Sequence, residues 1–187
     1  MAVLSDRMGR REELLDAAIE AGGTRGLRGL THRAVDGAAA VPAGTTSNHF
    51  RSRAALVRGI VDRMVEQDLA FWEGFDGGVD LPVEEVTERL VDYVRWSVGP
   101  GRVRGVARLN LFAAAPVDPE LQEPLRRGRA AVEAVGMAIG ASLGLDGAAS
   151  ALVMDATDAV VIRQLALPAE DFDPQPPLAR LIASLRA

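Results

Sequence analysis

The sequence predicts an all-α protein of about nine helices, with an N-terminal helix-turn-helix head followed by a helical body. Three observations lead to this fold class. Residues that favour strands are scarce apart from Val. Apolar residues recur at helical spacing through most of the chain, and Pro and Gly separate the periodic segments. No alternation typical of a strand extends over a useful length.

The first predicted helix runs from about Arg10 to Gly22 and carries an apolar stripe at helical spacing. The glycines that follow it end the helix, and Gly26 is expected to be a left-handed turn residue. Thr31 is the expected N-cap of a second helix over roughly 32–39. Both helices have one apolar face, so they are expected to pack together.

Pro42 is expected to set the start of a third helix, because Pro is tolerated in a first turn and not in a helix interior. That helix is expected to end near Phe50, a large apolar anchor. Ser52 is the predicted N-cap of a fourth helix that runs past residue 70 and connects head to body. The remaining predicted helices lie near residues 82–98, 101–115, 119–143, 147–167 and 177–186.

Composition limits the chemistry that the chain can carry. Cysteine is absent and only two histidines are present, so we expect no disulfide, no metal site and no cofactor. We find no signal peptide and no apolar run of about 18 residues, which predicts a cytoplasmic protein that does not associate with a membrane. Residues 1–58 contain nine Arg against six acids and residues 59–187 twelve Arg against twenty, net charges of +3 and −8. A basic head on an acidic body is typical of a protein that meets phosphate at one end.

Residues 31–53 contain two short helical patterns separated by a tight apolar turn. The second pattern carries Thr, Thr, Ser, Asn and His together on a helix too short to have a buried purpose of its own. Such an arrangement is typical of a helix-turn-helix whose second helix enters the DNA major groove. The segment therefore predicts binding to double-stranded DNA.

The same residues resemble the TetR family of transcriptional regulators. The similarity lies in a few short matches: Leu30-Thr31-x-Arg33, Ala34-Val35, Val41, Gly44-Thr45, His49-Phe50 and Ser52-Arg53-x-x-Leu56. Two positions depart from the family pattern. Ala40 stands where the family has a Gly in the turn, and Ala costs roughly 1 kcal/mol of stability if the backbone is left-handed there. Ser47 stands where the family usually places Tyr.

The resemblance divides the expected DNA contacts into positioning and base-reading residues. Ser47, His49 and Arg53 are expected to donate to phosphates. Thr31 is either a cap alone or a cap that also offers its N–H to phosphate, and Arg33 is either a base-reading or a solvated side chain. The full expected set is Thr31, Arg33, Ala43, Gly44, Thr45, Thr46, Ser47, Asn48, His49 and Arg53.

The resemblance also implies a homodimer that binds a palindromic operator, with half-sites about one DNA turn, roughly 34 Å, apart. We assign residues 1–58 to the DNA-binding domain and residues 59–187 to a ligand-sensing and dimerisation domain. The helices near 147–167 and 177–186 are expected to form the dimer interface. The residues that permit close approach are Ala148, Ala149, Leu152, Ala156, Ala159, Val160 and Leu167.

Most aromatic residues of the body lie between residues 71 and 112, in the zone where the family binds small molecules. The candidate ligand-binding residues are Trp72, Tyr93, Trp96, Arg108 and Phe112, and the alternative is that the aromatic side chains only fill the core. The resemblance implies a regulator released by a small apolar or amphipathic effector of unknown identity. It is either a repressor or an activator, and a repressor is the simpler expectation because blocking polymerase needs only occupancy of the operator.

An enzyme is not expected, because the sequence has no Cys, no phosphate-binding glycine loop after a strand, and no His beside a Ser nucleophile outside the DNA motif. The alternative function is a helical small-molecule-binding or interaction protein whose head no longer reads DNA. Ala40 and Ser47 are the features that favour it. Sequence-specific, salt-dependent DNA binding separates the two hypotheses.

Overall fold

The structure, a computed structural model, describes residues 2–73 and 82–186. Within these ranges the chain forms nine α-helices and no strand, which confirms the all-α prediction. Short 3-10 turns lie at Leu27–Gly29 and Pro119–Leu121. The helices are α1 (Ala2–Arg25), α2 (His32–Ala38), α3 (Thr45–His49), α4 (Arg53–Phe71), α5 (Val83–Val98), α6 (Arg102–Ala114), α7 (Gln122–Ser142), α8 (Gly147–Ala166) and α9 (Gln175–Leu185).

Two boundaries in the N-terminal part differ from the prediction. Helix α1 begins before the predicted helix and ends after it, at Arg25. It reaches Arg25 because the glycines near its C-terminal end are held in helical geometry. Helix α3 begins at Thr45, three residues after Pro42, because the intervening Gly44 has φ of +92° and interrupts helical geometry. The predicted cap of α4 is confirmed, since Ser52 Oγ accepts a hydrogen bond of 3.1 Å from the Ala55 N–H.

The chain divides into two compact units, Met1–Gln67 with Val106–Gly128 and Asp68–Gly105 with Arg129–Ala187. We call them the first and the second unit. The division concerns compactness and not function, so the predicted functional boundary after residue 58 stays a prediction. Each unit has its own apolar core.

The core of the first unit joins α1 to α2 and α4. Leu14, Val35, Phe50 and Leu56 are all at most 2% exposed within it. Each such side chain contributes about 1.5–3 kcal/mol when it is fully removed from water. This core fixes α2 and the start of α4 around the short helix α3.

In the second unit, α7 packs closely against α8 because α7 has a glycine at two of the contact points. A Cβ atom at Gly136 would overlap Met154, and one at Gly140 would overlap Ser150. Arg129 on α7 also pairs with carboxylates on α8, at 2.7 Å to Asp155 Oδ1 and more closely to Asp158. These contacts fix the position of α8, whose acids the sequence alone did not orient.

No single helix in the described ranges is both long enough and apolar enough to cross a membrane. Only the bent pair Pro119–Ser142 and Gly147–Ala166, taken together, reaches the required length and composition.

Candidate functional site

The turn between α2 and α3 is built on two residues with positive φ. Ala40 has φ of +51°, and Gly44 has φ of +92°. The left-handed backbone expected at Ala40 is therefore present, and its Cβ makes that conformation costly by roughly 1 kcal/mol.

Helix α3 exposes part of its surface and buries the rest. Ser47 and Asn48 are exposed, as is Ala43 in the preceding turn, whereas Gly44, Thr45 and His49 are half-buried. Ser47 Oγ donates a 2.8 Å hydrogen bond to the Gly44 carbonyl. An exposed Asn can pair with adenine. A hydroxyl carries one hydrogen, so Ser47 donates to a phosphate only in place of its bond to the Gly44 carbonyl.

Thr46 does not belong to this exposed surface. Its side chain is 0% exposed, and its hydroxyl donates a 2.5 Å hydrogen bond to Asp36 Oδ1. A side chain in the protein interior cannot contact DNA, so the structure removes Thr46 from the predicted contact set. Its role is to hold α3 against α2.

The acceptor of that bond, Asp36, is a buried carboxylate that we did not predict as functional. It is 4% exposed and also accepts 2.7 Å hydrogen bonds from the N–H groups of Gly44 and Thr46. Burial alone would raise the pKa of Asp36. The bonds from Thr46 and Gly44 outweigh burial and hold that pKa below its ordinary value.

His32 is the second functional candidate that the sequence analysis missed. Its Nε2 lies 2.7 Å from the Phe50 carbonyl oxygen, just after α3. A carbonyl only accepts, so Nε2 carries the proton and donates. The spacing of His32 and Asp36 could have indicated both residues, because residues four apart share one face of a helix.

The predicted contacts at α2 lie on its exposed side. Thr31 Oγ1 accepts a 3.2 Å hydrogen bond from the Ala34 N–H, which confirms its role as N-cap. Arg33 is exposed, and no ion pair to it is found within the described ranges. Neither residue's contact with DNA is tested by this geometry, so both contacts stay predictions.

Arg53, the predicted phosphate ligand at the start of α4, is engaged by two acids. Its Nη1 lies 2.9 Å from Asp118 Oδ2 and 3.7 Å from Glu120 Oε2. All three side chains remain partly exposed, at 41%, 27% and 60% respectively. A phosphate that binds Arg53 must therefore compete with these carboxylates.

The second unit contains a cluster of four aromatic rings, which we call the aromatic cluster: Phe71, Trp72, Tyr93 and Trp96. Ring centroids lie 5.3 Å apart for Phe71 and Tyr93, and 5.6 Å apart for Trp72 and Tyr93. Trp96 lies 6.0 Å from Tyr93. Such pairs contribute about 0.5–1.5 kcal/mol each beyond their burial.

A buried ion pair adjoins the aromatic cluster. Asp68, 1% exposed, accepts hydrogen bonds from Tyr93 Oη at 2.9 Å and from Arg104 Nη1 at 2.7 Å. The Arg104 guanidinium carbon lies 4.4 Å from the centroid of the Trp96 ring. Apolar rings and a buried, hydrogen-bonded ion pair therefore lie side by side in the second unit.

Three of the five predicted ligand-binding residues, Trp72, Tyr93 and Trp96, thus lie together. The other two, Arg108 and Phe112, belong to α6 within the first unit, where Arg108 is half-buried and Phe112 is 47% exposed. Ligand binding by any of the five stays a prediction.

The residues expected at a dimer interface divide between surface and core. Ala148, Leu152, Ala159 and Leu167 are exposed, with Leu152 at 48% and Leu167 at 76%. Ala149 and Val160 pack against the core of the second unit, and Ala156 is half-buried. Helix α8 therefore has an apolar surface on the side that faces away from its own core.

A comparison with family models matches residues 81–187 to the family described as "Tetracyclin repressor-like, C-terminal domain". None of the curated proteins compared with the chain matches significantly. The match covers more than half of the chain and includes α5 to α9.

Solved structures match over nearly the whole chain. One, described as a TetR-family transcriptional regulator from Rhodococcus sp., has 23% identity and a TM-score of 0.79, covering 96% of this chain and all of that one. A TetR-family member from Streptomyces coelicolor A3 has 23% identity and a TM-score of 0.76, with coverages of 94% and 97%. The multidrug binding protein EbrR in complex with ethidium has 22% identity and a TM-score of 0.74, with coverages of 94% and 98%. These likenesses concern the fold.

Proposed function

Because the chain belongs to the TetR family of transcriptional regulators, we propose that it is a repressor that binds a palindromic operator as a homodimer and is released by a small effector. Members of this family are DNA-binding regulators and not enzymes, so the chain is a ligand-responsive regulator in its general class. Operator, dimer and effector are the parts that we propose.

The observation that carries the proposal is the exposed polar surface of α3. Ser47 and Asn48 are exposed on a helix whose inner side is fixed by Thr46. Arg33 is exposed on α2, and an arginine there can pair with the O6 and N7 atoms of guanine. Two heads joined by a two-fold axis would read the two halves of a palindrome.

The DNA-binding part is tested with two variants on the duplex that the unaltered chain selects from a random pool. Arg33→Ala is expected to relax preference at one base pair, at a cost of roughly 1–3 kcal/mol. Arg53→Ala is expected to weaken binding to every sequence similarly, because a phosphate contact carries no sequence information. Equal binding by both variants and the unaltered chain would contradict this contact assignment.

We propose the aromatic cluster as the effector site. The chain contains only two Trp, Trp72 and Trp96, and both lie in this cluster. Intrinsic fluorescence therefore reports directly on it. EbrR has been solved with ethidium, so ethidium is a suitable first probe in a panel of planar amphipathic compounds.

A compound that changes this fluorescence is expected to release the selected duplex at the same concentrations, because binding and release are linked through one equilibrium. Fluorescence change without release would separate ligand binding from regulation. A fluorescence change in a chain that enriches no duplex would instead favour the alternative of a helical ligand-binding protein with a degenerate head.

A further inference from the structure

Helix α3 is too short to determine its own geometry. It spans the five residues Thr45–His49, whereas isolated helices shorter than about 12–15 residues are marginal in water. Its N-cap residue is Gly44, which has no side chain to accept a hydrogen bond from the first turn. The orientation of α3 must therefore be fixed by groups from other elements.

The N-terminal end of α3 is fixed by Asp36. This carboxylate accepts from the Gly44 and Thr46 N–H groups at 2.7 Å each and from the Thr46 hydroxyl at 2.5 Å. Asp36 thus performs from α2 the capping function that Gly44 cannot perform. Because these bonds fix Thr46 inward, they also fix which residues of α3 face outward.

The C-terminal end of α3 is fixed by His32, whose Nε2 donates to the Phe50 carbonyl at 2.7 Å. Phe50 is itself 2% exposed, so its backbone has little freedom. His32 and Asp36 lie four residues apart on α2 and therefore on one face of it. One face of α2 holds both ends of α3.

We propose that His32 and Asp36 are positioning residues, a polar clamp that sets the orientation in which α3 reads DNA. The proposal rests on the proposed function, in which α3 is the recognition helix. The clamp touches no DNA itself. It differs from a simple stabilising contact because its loss is expected to lower discrimination between DNA sequences more than it lowers general DNA affinity.

The contacts are tested first without DNA, by the amide resonances of the full chain. Asp36→Asn replaces one acceptor oxygen by an NH₂ group and is expected to shift the amide proton resonances of Gly44 and Thr46. Ala149, whose N–H donates at 2.8 Å to the N-cap Asp146, is the internal control and is expected to be unaffected. Unchanged Gly44 and Thr46 resonances would overturn the clamp.

The positioning role is tested with the duplex that the unaltered chain selects and a scrambled duplex of the same length. Asp36→Ala and His32→Leu are expected to weaken binding to the selected duplex by about tenfold or more and to the scrambled duplex by about twofold or less. His32→Gln keeps an N–H donor of similar reach and is expected to stay within about threefold of the unaltered chain on both duplexes.

Asp146→Ala is the matched control, because it removes an N-cap carboxylate from α8 in the second unit. It is expected to lower the melting temperature without changing the ratio of the two affinities. The clamp role is wrong if Asp146→Ala lowers that ratio as much as Asp36→Ala does, or if His32→Gln behaves like His32→Leu.

If Asp36→Ala fails to fold, the comparison of His32→Leu with His32→Gln still tests the positioning role. If the unaltered chain enriches no sequence, the proposed function fails and the positioning role fails with it. The amide resonances would still show whether the contacts exist, so the two failures are distinguishable.

Discussion

Neutralising the acids that engage Arg53 is expected to strengthen DNA binding. In the double variant Asp118→Asn/Glu120→Gln, Arg53 keeps its position at the start of α4 and loses two carboxylate partners at 2.9 and 3.7 Å. The guanidinium is then available to a phosphate without competition. The variant also removes two negative charges that a phosphate backbone would repel.

The magnitude follows from the exposure of the three side chains. Exposed ion pairs contribute roughly 0–1 kcal/mol, and Arg53, Asp118 and Glu120 are 41%, 27% and 60% exposed. Removing the competition is therefore expected to gain about 1 kcal/mol, or roughly fivefold in Kd. The gain is expected on every duplex, because phosphate contacts are independent of sequence.

Fluorescence anisotropy with the selected and the scrambled duplex at two salt concentrations measures this gain. The control is Asp62→Asn/Glu123→Gln, since Asp62 and Glu123 pair with Arg127 in the same unit at 2.5 and 4.0 Å. It changes the net charge equally and leaves Arg53 engaged. If both double variants tighten binding by the same factor, net charge explains the effect and Arg53 has no special part. The difference is expected to shrink at the higher salt concentration.

Three further predictions concern stability, measured by thermal or urea unfolding. Ala40→Gly is expected to stabilise the chain by about 1 kcal/mol, because Gly adopts the φ of +51° found there without Cβ strain; a lower melting temperature would contradict this. Gly140→Ala is expected to cost about 1–3 kcal/mol, because the added Cβ would overlap Ser150, whereas Gly147→Ala, which meets no atom within 4 Å, is expected to cost far less. Asp36 has a lowered pKa in the folded state, so its carboxylate stabilises the fold above the unfolded-state pKa of about 3.9, and the stabilisation disappears as the pH falls through the folded-state pKa. The difference in free energy of unfolding between the unaltered chain and Asp36→Asn should therefore become smaller below about pH 4. A difference that does not change with pH would contradict the assigned hydrogen bonds.

Helix positions were predictable because the apolar periodicity, the Pro and Gly positions and the caps at Thr31 and Ser52 act within a few residues of chain. The start of α3 was not, because Pro42 satisfies the rules for a first-turn residue equally well. Only the backbone conformation of Gly44, with φ of +92°, decides that the helix begins at Thr45.

The site was predictable where side chains are exposed and local, as at Ser47 and Asn48. It was not predictable where partners are distant in sequence. Asp118 reaches Arg53 across 65 positions, and no local pattern indicates that pairing. The prediction for Thr46 was wrong because a Thr on a helix of polar residues is expected to face solvent. Its partner Asp36 lies where the apolar face of α2 continues, so the local sequence did not indicate the hydrogen bond between them.

Operator binding by a dimer is best tested by selecting bound sequences from a random duplex pool with the unaltered chain, at two salt concentrations. We expect a palindromic consensus whose half-site centres lie about one DNA turn, roughly 34 Å, apart, with affinity that falls as salt rises. Recovery of an unenriched pool, or of a consensus without two-fold symmetry, would contradict the claim that this chain reads an operator as a dimer.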